Sequence, residues 1–206
     1  MTSVLHTVNL SPDELVALLV AVSFATGLNV YATVCTLGLL ARFGAVPLPS
    51  SLHLLTNSYV IGVSAILFGV EFFADKIPAF DLVWNALHTF IRVPVAALIA
   101  YQATSNLSPW EQLAATLAGG AIALAAHGGK VAARAAVTPS PEPVSNTALS
   151  LGEDALVVFL IWFATKHPYW AAGIVAAFLA IIVLLARWVI RSLKMLFVGA
   201  EKAVAK

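Results

Sequence analysis

Charge is what this sequence has least of. Asp, Glu, Lys and Arg together make up 10% of its 206 residues, whereas a soluble domain carries about 25% to keep its surface in water. A soluble globular fold is thereby excluded. The formal net charge is only +1, which excludes the strongly basic balance of a nucleic-acid-binding protein. Cysteine is nearly absent too: Cys35 stands alone, so no internal disulfide can form. No Lys or Arg precedes the first apolar segment, so no cleavable signal peptide of the usual kind is expected. The chain also lacks a glycine-rich phosphate loop, a serine nucleophile elbow and an HExxH metal helix, which removes the most recognisable enzyme signatures.

What fills the chain instead is hydrocarbon. Hydrophobic residues account for 61% and the mean hydropathy is +0.94. Apolar runs long enough to cross about 30 Å of lipid occur repeatedly. The expected fold is an all-α membrane protein of six transmembrane helices, one domain over residues 1–206. The first span runs from about Asp13 to Arg42, opened by Ser11-Pro12-Asp13-Glu14, with proline in the first turn and acids at the positive end of the helix dipole. The second covers Ser58 to Asp75 and the third Asp81 to Ala103, with Pro94 expected to kink it. Pro109-Trp110-Glu111 opens the fourth, which reaches Val137. The fifth runs from Asn146 to Thr165, and the sixth from Tyr169 into a basic tail. Trp110, Trp162, Trp170 and Trp188 fall near span ends or lipid faces and read as interfacial belt residues.

A spacing pattern occurs twice. Ala41-Arg42 is followed by Pro47 and Pro49, and 92 positions later Ala133-Arg134 is followed by Pro139 and Pro141. Gly27 and Gly119 precede the two arginines at the same offset. Phe73-Ala74-Asp75-Lys76-Ile77-Pro78 is echoed by Phe163-Ala164-Thr165-Lys166-His167-Pro168. These pairs suggest two three-helix repeats, about 11–103 and 109–197, inserted with opposite topology. Lysine and arginine give an orientation. Arg187, Arg191, Lys194, Lys202 and Lys206 place the C-terminus in the cytoplasm, and six spans bring the N-terminus to the same side of a cell (inner) membrane. Spans one and four exceed the ~20 residues a crossing needs. Gly27-Leu28-Asn29 and Gly119-Gly120 near their middles fit either long tilted helices or helices broken or re-entrant at mid-depth, with Asn29 as a polar lining residue.

Ionisable groups within such segments need a partner, water or a task. Glu71 and Asp75 lie four apart on one face of span two, with Lys76 beside them; His88 and Arg92 lie four apart in span three. His127, Lys130 and Arg134 form a stripe on span four, Glu142 and Asn146 follow in the proline-rich loop, and Glu153 and Asp154 open span five. Under the six-span topology all of these collect on the cytoplasmic half, where they make either a substrate-binding vestibule or a purely structural ion-pair network. His127 by itself reads as a hydrogen-bonded packing residue rather than a ligand. The acid pairs leave metal binding open, although six oxygen ligands are not evident.

The run Glu71-Phe72-Phe73-Ala74-Asp75-Lys76-Ile77-Pro78, followed by Asp81, Trp84 and His88-Thr89-Phe90-Ile91-Arg92, resembles a bacterial membrane-protein family of unknown function, domain of unknown function number 4126. Gly27-Leu28-Asn29, Ser140-Pro141-Glu142-Pro143-Val144-Ser145-Asn146 and Glu153-Asp154 match it as well. The resemblance implies a multi-span membrane protein with no established activity, so it carries over no catalytic or binding assignment to any residue. Three functions remain on the table: a transporter or channel for a small solute, ion or anionic lipid headgroup; a membrane-embedded enzyme acting on a lipid phosphate; or a structural or regulatory subunit. The expected partners are the bilayer and that small ligand, with no cofactor and no nucleic acid, and self-association is left open.

Overall fold

A computed structural model describes residues 10–137 and 143–204. Seven α-helices make up most of the described chain: α1 (Pro12–Leu28), α2 (Val30–Arg42), α3 (Ser58–Ala74), α4 (Pro78–Ala103), α5 (Pro109–Val137), α6 (Pro143–Lys166) and α7 (Pro168–Val204). A short 3-10 helix, Ser50–Thr56, precedes α3. No strand occurs among the described residues.

The helix starts follow local chemistry. The Ser11 Oγ accepts from the Glu14 N–H while the Glu14 carboxylate accepts from the Ser11 N–H, a reciprocal capping box that satisfies two otherwise orphaned donors. Ser108 and Glu111 repeat the device at α5, where the Ser108 hydroxyl and N–H both donate to the exposed Glu111 carboxylate. The Asn57 Oδ1 caps α3 by accepting from the Tyr59 N–H.

α1 is the centre of the bundle. It packs against α4, α5, α6 and α7, and its residues from Ala17 to Leu28 are buried except Val20. A helix apolar on every side belongs inside a larger assembly, and Ala21, Ala25, Ala126, Val157, Leu160, Ile161 and Val175 close the core around it. The outer faces are apolar as well: Ile66 on α3, Leu87 and Phe90 on α4, Leu117 on α5, Trp162 on α6 and Leu184 and Trp188 on α7 are exposed. Apolar outside and charged within is the reverse of a soluble protein, and the chain is membrane-embedded. Among the described residues, three helices are individually long and apolar enough to cross a bilayer, within Val83–Ala103, Thr147–Lys166 and Pro168–Ser192. The Ser50–Thr56 helix and α3 pass the same test only together, bent by 58°; they form either one broken crossing or a re-entrant loop.

The segment expected as one span over 13–42 is two helices, interrupted at Asn29. The segment over 109–137 is one continuous helix that passes Gly119 without a break. In both, the glycine serves close approach. A Cβ on Gly27 would run into the Ala123 carbonyl and lie 2.8 Å from the Ala126 Cβ, and one on Gly119 would lie 2.9 Å from the Ala100 Cβ and 3.1 Å from the Ser23 Oγ. Small residues let membrane helices pack at short range.

Candidate functional site

The site starts from the residue that interrupts the first long segment. Asn29 is extended (φ −151°, ψ 103°) and fully buried, so every polar atom around it needs a partner. Its N–H donates to the Ala25 carbonyl. Its Oδ1 accepts from the Ala32 N–H and so caps α2. Its Nδ2 donates to Asp154 Oδ1 at 3.0 Å. The carbonyls freed at the end of α1 are met by cations: Lys130 Nζ donates to the Leu28 carbonyl at 3.3 Å and Arg92 Nη1 to the Gly27 carbonyl at 3.5 Å. Positive charge belongs at the C-terminal end of a helix dipole. The break is thus held by side chains from α4, α5 and α6.

Those side chains form one buried ionic network. Arg92 Nη2 pairs with Glu71 Oε1, and Arg92 Nη1 also donates to the Asn85 Oδ1 at 3.2 Å. Lys130 lies 3.1 Å from Asp75, 3.3 Å from Glu153 and 3.7 Å from Glu71. Arg134 Nη2 reaches Asp75 at 2.9 Å and Glu153 at 2.8 Å, and its Nη1 donates to the Asp75 carbonyl. Glu71 and Arg92 are completely buried and Lys130 is 3% exposed, so each charge depends on its partners rather than on water. Among the described residues, no group of three or more His, Cys, Asp or Glu side chains is arranged to hold a metal ion.

Hydrogen-bond direction fixes the histidines. Arg92 Nη1 lies 2.8 Å from His127 Nδ1, and a guanidinium can only donate. His127 Nδ1 is therefore an acceptor, and its Nε2–H donates to Thr89 Oγ1 at 2.8 Å, which passes its own hydrogen to the Asn85 carbonyl. His127 is neutral on this basis. His88 Nδ1 lies 2.7 Å from the Trp84 carbonyl and must donate to it, while its Nε2 lies 3.1 Å from the Tyr31 hydroxyl, which can donate or accept. His88 also stacks on Trp84, with ring centroids 4.3 Å apart.

Of the residues singled out in the sequence, Asn29, Glu71, Asp75, Arg92, Lys130, Arg134, Glu153 and Asp154 come together here, and His88 lies on the Tyr31 side of the same helix, α4. Lys76 does not join them. Its Nζ turns back to the Phe72 carbonyl at 2.7 Å and over the Phe72 ring at 3.1 Å, because it lies about one turn past Phe72, just beyond the end of α3. Glu142 lies outside the described residues, and of Asn146 only the backbone, in α6, is described. Asn85, Thr89 and Tyr31 belong to the site without having stood out in the sequence; the i, i+4 placement of Asn85 and Thr89 on the face of α4 that carries Arg92 was the available signal. His127 is the hydrogen-bonded partner expected of it, and that partner is Arg92.

No curated protein and no solved structure matches the chain. A family description does: "Domain of unknown function (DUF4126)" matches residues 16–188, which takes in α2 to α6 whole, nearly all of α1 and every residue of the network. A membrane-embedded helical bundle, with a buried ionic network around an interrupted central segment, is thus what this chain adds to the description of its family, and by that match it belongs to the DUF4126 family.

Proposed function

We propose that this protein is a membrane transporter or channel for a small solute or ion, and that the network around Asn29 is its moving part. One observation carries the reading: a helix in the middle of a membrane-embedded bundle is interrupted, and the interruption is held by buried charges from surrounding helices. Interrupted helices offer backbone dipoles to passing ions, and buried charges at membrane depth are costly enough to call for a task. The ligand is better sought among cations and neutral solutes than among anionic headgroups, since Arg92, Lys130 and Arg134 are each already paired with carboxylates. The six-span arrangement in two inverted halves, with both termini in the cytoplasm, belongs to the same reading; the distribution of Lys and Arg supports it. Accessibility labelling of single cysteines introduced at loop positions, in a Cys35→Ser background, tests that topology.

Flux into proteoliposomes, over a panel of protons, alkali cations, anions and neutral solutes, tests the function. Wild type is expected to exceed empty vesicles for at least one member, and Arg92→Gln and Glu71→Gln to lose about tenfold or more, as a buried charge stripped of its partner implies. Flux equal to that of empty vesicles across the panel rejects the transporter; full flux in both variants removes the network from its mechanism.

A further inference from the structure

The network does not balance. Among the described residues it holds four acids, Glu71, Asp75, Glu153 and Asp154, against three cations, Arg92, Lys130 and Arg134; His127 is neutral by the direction of its hydrogen bonds, and His88 is turned away from the acids, to the Trp84 carbonyl and the Tyr31 hydroxyl. One negative charge is in excess where water is excluded, and a buried uncompensated charge is commonly neutralised by a change of protonation.

Pairing says where the excess sits. Glu71 has Arg92 and Lys130, and Asp75 and Glu153 each have Lys130 and Arg134. Asp154 has no cation within ion-pair distance among the described residues. Its Oδ1 takes the Asn29 amide, and its buried Oδ2 has no hydrogen-bond partner among the described residues; Glu71 Oε2 has none there either, but Glu71 is paired with Arg92. Ser150, one helical turn before it on the same face of α6, is also fully buried with an unpartnered Oγ. The groups bearing on Asp154 can be named for each neighbouring element. The α1–α2 junction contributes Asn29, α3 Glu71 and Asp75, and α5 Lys130; α2, packed on α6, carries Tyr31 and Cys35, and Arg92 of α4, Arg134 of α5 and Glu153 of α6 belong to the same ionic network. α7 carries no ionisable side chain between Tyr169 and Arg187. The two acids of α3 and Glu153 disfavour a charge on Asp154, while Lys130, shared among three other carboxylates, is already engaged.

We propose that Asp154 is a proton-binding site, with the proton on Oδ2, and that its loading is tied to the α1–α2 break through Asn29. Asn29 both caps α2 and donates to Asp154. Losing the proton makes that second bond charge-assisted and roughly twice as strong. The proton comes from bulk water and returns to it, so nothing else is consumed. On the transporter reading, on which only this last step rests, solute movement is coupled to protons.

Infrared spectroscopy of the lipid-reconstituted protein, with aspartate carboxyls labelled with carbon-13, tests it. Wild type is expected to show a protonated-aspartate C=O band at mildly acidic pH that disappears as the pH rises, and Asp154→Asn to lose it. Asn29→Ser keeps a capping side chain but removes the amide donor, so the band's titration midpoint moves up. If Asp154→Asn does not fold, this shift carries the assignment. The proposal is overturned by a wild-type spectrum without the band, by a band that survives in Asp154→Asn, by an unmoved midpoint in Asn29→Ser, or by a band that sodium removes at constant pH, which marks a metal-cation site instead. A pH-sensitive dye inside proteoliposomes separates the two readings. A titrating Asp154 with no flux of any kind leaves the proton site standing and rejects the transporter, whereas solute flux with no protonated aspartate does the reverse.

Discussion

Two long apolar segments cross at the centre of the bundle, each with a glycine at the same distance from an arginine, and only one of them breaks. Residues 12–42 divide at Asn29, while 109–137 remain one helix. Both glycines do the same work, admitting a neighbour too close for a side chain. Two residues after each glycine the sequences part: Asn29 in the first, Ala121 in the second. Alanine is the strongest helix former, whereas asparagine competes for backbone hydrogen bonds and prefers helix ends. Asparagine is not sufficient by itself, since its amide and the Leu28 and Gly27 carbonyls are met by Asp154, Lys130 and Arg92. The difference teaches that a membrane helix breaks where a capping residue meets a prepared polar surround, and that glycine does not decide it.

The largest effect is expected where the continuous helix supports the broken one. Lys130→Met removes the cation shared by Asp75, Glu71 and Glu153 and the donor to the Leu28 carbonyl. Leaving buried charges without a partner costs about 3–5 kcal/mol, to be measured from denaturation curves in mild detergent. A loss under about 1 kcal/mol, the range of an exposed pair, would show that water reaches the network and that the break does not depend on it.

The glycines give a test by sign. If Gly27 and Gly119 weakened their helices, alanine at either would stabilise by about 1 kcal/mol. The packing predicts the reverse. Gly119→Ala meets the Ala100 Cβ and Ser23 Oγ and should cost about 1–3 kcal/mol by overpacking. Gly27→Ala meets the Ala123 backbone, which has less room to yield, and should fall at the upper end of that range or beyond. Asn29→Ala comes next: a lost cap costs about 1 kcal/mol and a lost hydrogen bond about as much again. The reciprocal change, Ala121→Asn, should cost under about 0.7 kcal/mol and leave α5 unbroken, a result that hydrogen exchange along α5 reads directly.

Much of the fold is legible in the chain because its helix ends are written locally. Ser11 to Glu14 and Ser108 to Glu111 announce two starts three residues in advance, and prolines stand at or beside most other boundaries. Half of the site is legible for the same reason: Glu71 with Asp75, and Lys130 with Arg134, share helix faces by spacing alone. What the sequence does not reveal is held between distant residues. Asn29 meets Asp154 across 125 positions and Arg134 meets Asp75 across 59, so neither the break nor its partners leaves a local signature. Lys76 misled for the opposite reason. It adjoins Asp75, but one residue along a helix end is a rotation of about 100°, which turns it onto Phe72.

The smallest predicted effect bears on the arginines that made the two segments look alike. Arg42 is exposed and donates to the Thr56 carbonyl and Ser58 Oγ, tying the end of α2 to the start of α3. Arg134 is 3% exposed and holds Asp75 and Glu153 inside the network. Arg42→Gln should change stability by no more than about 0.5 kcal/mol, since water replaces what it loses. Arg134→Gln belongs with Lys130→Met at about 3–5 kcal/mol, because nothing replaces the charge there. Two denaturation curves settle the point. A similar cost at both positions would mean that the segments share a role as well as a spacing, while a several-fold gap would mean that the same spacing serves different tasks, an exposed tether at Arg42 and a buried counter-charge at Arg134.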